Sequence, residues 1–209
     1  MNRLILVVSI ALICFSASAQ KTLPGYIVLR HGGDTLRNEV KGSKYKDWHE
    51  FKFVYPDGEK VVFKPSQVRA VQYGDRHFIS ESIDSLPGTI AIVHDGYVLL
   101  EKVVSGPLSL FNLEYCEDDG GYQGRQNGIK KQVCRSVRYL RKEHGGYFEA
   151  YRKSSALVLK NKQRHSTPQL AGYLKESKVL SDDILYEKLS RTSLELICER
   201  YNLWYATTQ

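Results

Sequence analysis

The chain has 209 residues, a formal net charge of +7, 42% hydrophobic residues and 25% charged residues. This composition is typical of a globular protein, and it excludes wholesale intrinsic disorder and a collagen-like repeat. A chain of this length buries roughly 70% of its unfolded surface on folding, so it needs neither a metal nor a disulfide to fold.

Residues 1–19 have the pattern of a secretory signal peptide. Arg3 supplies a positive charge, and the twelve residues from Leu4 to Phe15 form an apolar core interrupted only by a serine. Ala17 to Ala19 then provides the small-x-small pattern that a signal peptidase requires. We expect cleavage between Ala19 and Gln20, which leaves an exported mature chain, either periplasmic or secreted.

Two other interpretations of this segment are less favoured. A membrane anchor must cross about 30 Å of hydrocarbon, whereas a helix of twelve residues reaches only about 18 Å. A lipoprotein anchor on Cys14 would need a small residue before the cysteine, and Ile13 is bulky. No later stretch is long and apolar enough to cross a bilayer, so we expect no transmembrane helix in the mature chain.

Antiparallel β structure is predicted over the first part of the mature chain. A hairpin is expected from Gly25–Arg30 and Thr35–Val40 around the turn His31–Asp34, because its paired glycines adopt positive φ readily. A second hairpin, Glu50–Tyr55 with Lys60–Lys64, surrounds the turn at Pro56–Gly58. Further strands are expected at Val68–Tyr73, Arg76–Ser80, Thr89–His94, Tyr97–Val104, Leu108–Tyr115, Val133–Arg141 and Tyr147–Arg152.

Aromatic residues in the second hairpin follow the two-residue period of a strand. Phe51, Phe53 and Tyr55 alternate with Lys52 and Val54, so the three rings are predicted to lie on one face. The chain contains 14 tyrosines and 7 phenylalanines, and many lie in the predicted strands. Such residues suit a pleated, half-buried surface.

The last part of the chain has helix-start signals instead. Thr167 followed by Pro168 predicts an N-cap and the first helical residue, and Ser181 with two aspartates predicts the start of a second helix. Thr192 and Glu195 have the spacing of a capping box before a last helix that runs to about Trp204.

Strands first and helices last indicate an α+β protein. We divide the chain into the signal peptide (1–19), an antiparallel β-rich domain (20–152) with a loop insertion at 116–134, and a C-terminal helical region (153–209) packed on that domain. The order of strands and turns is similar to that of a small SH3-like or Sm-like barrel, so a barrel-like, SH3-like arrangement of the β-rich domain is one prediction.

Export makes the cysteines candidates for oxidation. Cys116 and Cys134 flank the glycine-rich and charged insertion, and they form a plausible disulfide in an oxidising compartment. Cys198 lies on the apolar side of the last predicted helix, where a buried, inert thiol is expected. Two alternatives stay open: both thiols of the pair are free, or Cys198 pairs with one of them. None of the three has the Cys-x-x-Cys spacing of a metal site.

Several segments resemble a family of exported, signal-peptide-bearing proteins of Bacteroidota. They are the Gly-x-Ile…Gly-Asp-Thr opening within Gly25–Leu36, the aromatic strand before Pro56–Gly58, the segment Pro65–Val71, and the closing pair Tyr201–Asn202. The resemblance implies export and a helical C-terminus, and it implies no catalytic residues and no activity. The insertion at 116–134 is not part of the shared pattern.

Positive charge is concentrated in one segment. Residues 125–164 contain twelve Lys or Arg against two acidic residues, a charge of +10, whereas the mature chain has 29 basic and 23 acidic residues, a charge of +6. Aromatic residues lie among these cations, an arrangement that can hold a polyanion through ion pairs and stacking. The alternative is a solvated basic face whose aromatic side chains pack inward. The candidate polyanion-binding residues are Arg135, Arg138, Arg141, Lys142, Arg152 and Lys153.

Signals for catalysis or metal binding are weak. His31 with Asp34, and His94 with Asp95, are pairs that could each provide half of a general acid–base site, but histidine and aspartate are also ordinary turn residues. No two histidines have a metal-ligand spacing, and no nucleophile elbow or phosphate-binding loop is present. We therefore predict no catalytic residue, no metal site and no cofactor.

Two functional hypotheses follow. The first is a non-catalytic envelope or secreted module that binds an acidic partner, such as lipopolysaccharide phosphates, an acidic glycan or an acidic protein. Nucleic acid is disfavoured by the compartment. The alternative is a hydrolase or other enzyme whose site forms only in the folded chain.

Overall fold

The computed structural model describes residues 22–42, 50–88, 95–118, 132–154, 167–190 and 192–208. Within these ranges ten strands are followed by three α-helices, which confirms the predicted α+β class with the helices at the C-terminus. The elements are β1 (Thr22–Leu29), β2 (Thr35–Lys41), β3 (Phe51–Val54), β4 (Lys60–Phe63), β5 (Val68–Tyr73), β6 (Arg76–Ser82), β7 (Tyr97–Val104), β8 (Leu108–Asp118), β9 (Gln132–Lys142), β10 (Tyr147–Ser154), α1 (Thr167–Tyr173), α2 (Lys178–Leu185) and α3 (Leu194–Thr208).

The strands form one antiparallel sheet in the order β10-β9-β8-β7-β6-β5-β1-β2-β3-β4. Two runs of hairpins, β1–β4 and β5–β10, are therefore joined side by side where β1 pairs with β5. Gly25 is required at this junction, because a Cβ there would lie 2.0 Å from the Gln72 carbonyl oxygen. The order is linear, so β4 and β10 are the two edges of the sheet.

The prediction of a barrel-like, SH3-like unit is wrong for the part of the chain that the structure describes. A barrel closes only when its first and last strands pair, and among the described residues no ladder joins β4 to β10. The N-terminal strands nevertheless curl. The rings of Phe51 on β3 and Phe78 on β6 are 5.3 Å apart, whereas four strand spacings in a flat sheet span about 19 Å.

The curl buries the first apolar cluster. Phe51 and Phe53 are 1% and 2% exposed, which confirms the face predicted from their alternation. Because β1–β6 fold over one another, this cluster forms without a helix. Its buried members are Ile27, Val40, Phe51, Phe53, Val68, Val71, Phe78 and Leu99.

The C-terminal strands β7–β10 are buried on both faces. Leu110 and Leu140 are paired across β8 and β9 and pack with the helices, so we call their side the helix face. Phe111 and Tyr139, the next pair along, belong to a separate cluster on the other side, which we call the opposite face. The helix face packs against Leu170, Ala171, Leu174, Leu180, Ile184, Leu189, Leu194, Ile197, Cys198 and Tyr201.

Most predicted elements are found, and two helix starts differ. Helix α2 begins at Lys178 rather than at Ser181, whose hydroxyl instead donates to the Ala171 carbonyl oxygen at 3.0 Å. At α3 the first helical hydrogen bond runs from Ile197 to Ser193, so Ser193 rather than Thr192 precedes the helix. The predicted signal peptide 1–19 and the predicted strand at 89–94 lie outside the described residues.

Candidate ligand-binding groove

Strand alternation divides the predicted polyanion-binding residues between the two faces of the sheet. Arg138 and Lys142 lie on β9 at the same parity as Leu140, which packs with the helices, so they belong to the helix face. Arg135 and Arg141 share the parity of Tyr139 and belong to the opposite face, together with Arg152 of β10. Lys153 follows on β10. The five residues other than Lys153 are therefore divided between the two faces of the described sheet.

The two helix-face cations hold the helices to the sheet. Arg138 Nη1 donates to Glu195 Oε1 on α3 at 2.8 Å. Lys142 Nζ donates to Glu176 Oε1 and to the Tyr173 carbonyl oxygen. Partial burial alone would raise the pKa of Glu176, but its hydrogen bonds, that from Lys142 first, and the charges of Lys142 and Lys175 together outweigh burial and lower the pKa. These charges are used within the fold.

Arg152 is also engaged inside the protein. Its Nε and Nη2 donate to the two carboxylate oxygens of Glu149 at 2.8 Å each, and its Nη1 donates to the Tyr115 hydroxyl at 3.2 Å. Glu149 is 1% exposed, so its charge requires this partner. The hydrogen bonds to Glu149 raise the pKa of Arg152.

Arg141 is held on one side only. Its Nη1 donates to Glu81 Oε1 at 3.1 Å and to the Tyr147 hydroxyl at 3.0 Å, and that hydroxyl donates to the same Glu81 oxygen at 2.9 Å. The guanidinium carbon lies 5.0 Å from the centre of the Tyr147 ring. Burial, followed by the charge of Glu81, raises the pKa of Tyr147, so its hydroxyl stays protonated and able to donate. The arginine is thereby fixed in orientation.

A groove of about 580 Å³ lies beside Arg141, at the ends of the β7–β8 and β9–β10 hairpins. It opens where the two strand pairs turn. Its lining residues are Ile79, Lys102, Gly106, Pro107, Ser109, Phe111, Arg141, Lys142 and Glu143.

The groove combines an apolar floor with three cationic side chains, and one of them, Lys142, is already paired with Glu176. Phe111 is 3% exposed and packs edge-on against Tyr147, with ring centres 5.5 Å apart. Lys102 lies directly opposite Phe111 in the register of β7 and β8. Its side chain is half-buried and has no ion-pair partner among the described residues. Glu143 is an exposed carboxylate at the rim. The interior charge therefore comes from Lys102 and Arg141.

The wall at Gly106 is positioned by α3. Asn202 accepts a hydrogen bond from the Leu108 amide at 2.7 Å and donates to the Leu108 and Ser105 carbonyl oxygens at 3.1 and 3.4 Å. Gly106 has φ +146°, and a Cβ there would lie 2.4 Å from Asn202 Nδ2. The helical region therefore sets the shape of the turn that borders the groove.

His31, Asp34 and Asp95 do not line this groove. His31 and Asp34 are exposed on the β1–β2 turn. Asp95 accepts hydrogen bonds from the backbone amides of Ser66 and Tyr97 at 3.1 and 3.3 Å. Its partial burial would raise its pKa, but hydrogen bonds from the side chain and backbone of Ser66 and from the Tyr97 backbone, together with the charge of Lys64, outweigh burial and lower the pKa. His94 lies outside the described residues.

The cysteines occupy the places expected of them within the described ranges. Cys116 and Cys134 are direct partners in the β8–β9 register. Cys198 is a free, fully buried cysteine on the helix face, which confirms the prediction of a buried thiol. Burial raises its pKa to about 12.

Lys102 and Glu81, which complete the groove and fix its arginine, were not predicted from the sequence. Lys102 follows Glu101 in the otherwise apolar run Tyr97–Val104, and two adjacent charges on a buried strand are the signal that could have identified it. Glu81 gives no comparable signal, because its partner Arg141 is 60 residues away in the chain.

No protein-family model, curated protein or solved structure matches this chain. In the described ranges no helix is long and apolar enough to span a membrane. The same residues contain no group of three or more His, Cys, Asp or Glu side chains that could hold a metal ion.

Proposed function

We propose that the chain is an exported, non-catalytic binding module that holds an acidic partner in the groove at the ends of the β7–β8 and β9–β10 hairpins. The observation that carries this proposal is the orientation of Arg141, which Glu81 and Tyr147 hold in place beside a cavity that also contains Lys102. A cation fixed before binding loses little conformational entropy when an anion arrives.

The groove replaces the broad basic segment as the proposed site. Lys142 and Arg152 form ion pairs with glutamates of the same chain, and Arg138, which pairs with Glu195, does not line the groove. Arg141 is paired with Glu81 through Nη1 alone, and Lys102 has no ion-pair partner among the described residues, so both can contact an anion without breaking an ion pair. Two cations above apolar side chains are suited to a partner with both anionic and apolar groups.

Export is proposed from the N-terminal sequence pattern and from the resemblance to exported proteins of Bacteroidota. The register of β8 and β9 supports a disulfide between Cys116 and Cys134, because directly opposed residues of antiparallel strands have Cα atoms within the range that a disulfide spans. The predicted oxidising compartment and the cysteine register are mutually consistent. We propose this pair as a disulfide of the exported chain.

The test measures binding of the mature chain, residues 20–209, to immobilised polygalacturonate, a polymer of carboxylates. We expect binding to weaken as the salt concentration rises, because free counterions screen the attraction. Lys102→Gln should weaken binding about threefold, which corresponds to a partly exposed ion pair.

Lys60→Gln is the matched control, since Lys60 is an exposed lysine on the distant edge strand β4 and the substitution removes the same charge. Binding that ignores salt, or that responds equally to Lys60→Gln and Lys102→Gln, would contradict the proposal.

A further inference from the structure

We infer that the groove takes a small amphiphilic carboxylate, with its carboxylate on the Nε–Nη2 edge of Arg141 and its apolar body on Ile79 and Phe111. This inference rests on the proposed function, and it narrows the acidic partner to one chemical class. The observations that carry it are the unused edge of Arg141, the size of the groove and the apolar residues of its floor.

The unused edge of Arg141 sets the chemistry of the anion. Glu81 and Tyr147 both engage Nη1, and within the described residues Nε and Nη2 have no hydrogen-bond partner. Nε–H and Nη2–H are nearly parallel donors in one plane, and this spacing fits the two oxygens of a carboxylate. A side-on pair of two hydrogen bonds can therefore form without disturbing the contacts that hold the guanidinium.

Nε–H and Nη2–H of Arg141 together form a fork of two donors. The contacts to Glu81 and Tyr147 also fix the plane of this fork. The Tyr147 hydroxyl bridges Arg141 and Glu81, and its ring packs against Phe111 in the floor. A ligand that binds the fork therefore meets a defined plane and a defined apolar wall. This gives the site a geometric preference for a planar anion beside an apolar group, which a mobile lysine does not provide.

The size and the floor of the groove set the rest of the ligand. A volume of about 580 Å³ lies within the ordinary range for a small-molecule site and is too small for a folded partner. Ile79, Pro107 and Phe111 contribute apolar surface to it. Burial of an aliphatic or aromatic body against these residues adds an apolar contribution that a bare inorganic anion lacks.

Two charges near the fork act in opposite directions. Lys102 lies on β7, two strands from Arg141, or about 10 Å across the sheet, and it attracts the anion. Glu143 stands at the rim and repels it. The two residues therefore provide a pair of substitutions with opposite expected signs, and neither has an ion-pair partner among the described residues to lose.

The experiment titrates the mature chain with octanoate and follows backbone amide signals by NMR. Octyl phosphate and octanamide are titrated in parallel, because the first tests a phosphate in place of the carboxylate and the second tests the apolar tail alone. We expect octanoate to shift the amide signals of residues 102–111 and 141–147, and we expect octanamide to bind at least about tenfold more weakly.

The variants test the assignment of the fork. Arg141→Lys keeps the charge and removes the fork, so it should weaken octanoate binding about tenfold, whereas Lys60→Gln should not change it. If Arg141→Lys does not fold, the substitutions at Lys102 and Glu143 test the position of the carboxylate instead. Lys102→Gln should then weaken octanoate binding, and Glu143→Gln should strengthen it.

Three results would overturn the inference. Tighter binding of octyl phosphate than of octanoate would assign the site to phosphates, and equal binding of octanamide would remove the role of the anion. Failure of octanoate to bind, while polygalacturonate still binds in a manner sensitive to Lys102→Gln, would exclude the small ligand and leave the proposed function standing. Failure of both probes at this groove would overturn the proposed function as well.

Discussion

The N-terminal strands β1–β6 and the C-terminal strands β7–β10 bury their apolar residues in different ways. The N-terminal strands curl until Phe51 and Phe78 meet, so one face is enclosed and the other faces solvent. The C-terminal strands are covered by α1–α3 on the helix face and carry a separate buried cluster on the opposite face.

The spacing of apolar residues along the sequence also differs between the N-terminal and the C-terminal strands. In β2 and β4 buried or half-buried positions alternate with exposed ones, whereas Val98–Leu100 and Leu108–Phe111 are consecutive buried residues. Alternation is typical of a sheet with one buried face, and a continuous apolar run is typical of a strand buried on both faces. The groove lies where the doubly buried strands end in turns, which is why a lysine and an arginine can reach solvent there.

The largest effect is expected from the curled half. Phe51→Ala removes a ring that contacts both Phe78 and Tyr73 and is 1% exposed. The resulting cavity should lower the free energy of unfolding by about 3–5 kcal/mol, measured by urea denaturation. Val62→Ala is the control, because Val62 is 43% exposed on β4 and its loss should cost less than about 0.5 kcal/mol. Equal costs would show that the curl is not held by this cluster.

The next effect concerns the long hairpin of the C-terminal half. If Cys116 and Cys134 are joined, the bridge closes a loop of about twenty residues and contributes about 3 kcal/mol in the chain-entropy model. Replacing both cysteines with serine should lower the free energy of unfolding by that amount, and reduction should do the same to the wild-type chain. Intact mass before and after reduction and alkylation provides the check. A wild-type exported chain whose Cys116 and Cys134 alkylate without prior reduction would contradict the bridge.

A smaller effect is expected where α3 meets the β7–β8 turn. Asn202→Ala removes three hydrogen bonds and leaves the half-buried Leu108 amide without its acceptor, which should cost about 1–3 kcal/mol. Gly106→Ala should also destabilise, since its Cβ would overlap Asn202.

The two substitutions should not be additive. In the Asn202→Ala background the overlap is relieved, so Gly106→Ala should cost less there than in the wild-type chain, and a double-mutant cycle measures this difference. Strict additivity would mean that Asn202 does not position the turn.

The smallest effect is an alkaline loss of stability from the helix face. The pKa of Cys198 is raised from 9.0 to about 12 by burial, so above pH 9 the unfolded chain releases a proton that the folded chain retains. Stability is therefore full below pH 9 and falls between pH 9 and pH 12, by about 1 kcal/mol at pH 10. Denaturation at pH 8 and pH 10 measures this fall, which should be smaller in Cys198→Ala. An identical fall in that variant would assign the effect to other groups.

Local features of the fold could be predicted from the sequence. The alternation at Phe51 and Phe53, the turn at Pro56–Gly58 and the helix start at Thr167 depend on neighbouring residues, and all three agree with the structure. Ser181 misled the prediction because serine resembles an N-cap in sequence, whereas its hydroxyl bonds to Ala171 of the preceding helix.

Long-range features could not be predicted. Closure of the sheet depends on which distant strands pair, and neither hydrophobic period nor turn chemistry specifies this. The distribution of the basic residues over two faces of the sheet could not be predicted for a related reason. Local charge counts do not include the glutamates that neutralise Arg138, Arg141 and Lys142 from 57, 60 and 34 residues away. The groove itself requires β7 and β9 to bring Lys102 and Arg141 within about 10 Å of each other across the sheet.

The most direct test of the proposed site is amide hydrogen exchange of the mature chain with and without polygalacturonate. We predict that the added polymer protects the segments around the groove, residues 102–109 and 141–147, and leaves the β3–β4 hairpin unchanged. Protection confined to other parts of the chain, or no protection at a polymer concentration that saturates binding, would contradict the assignment of this groove as the site for an acidic partner.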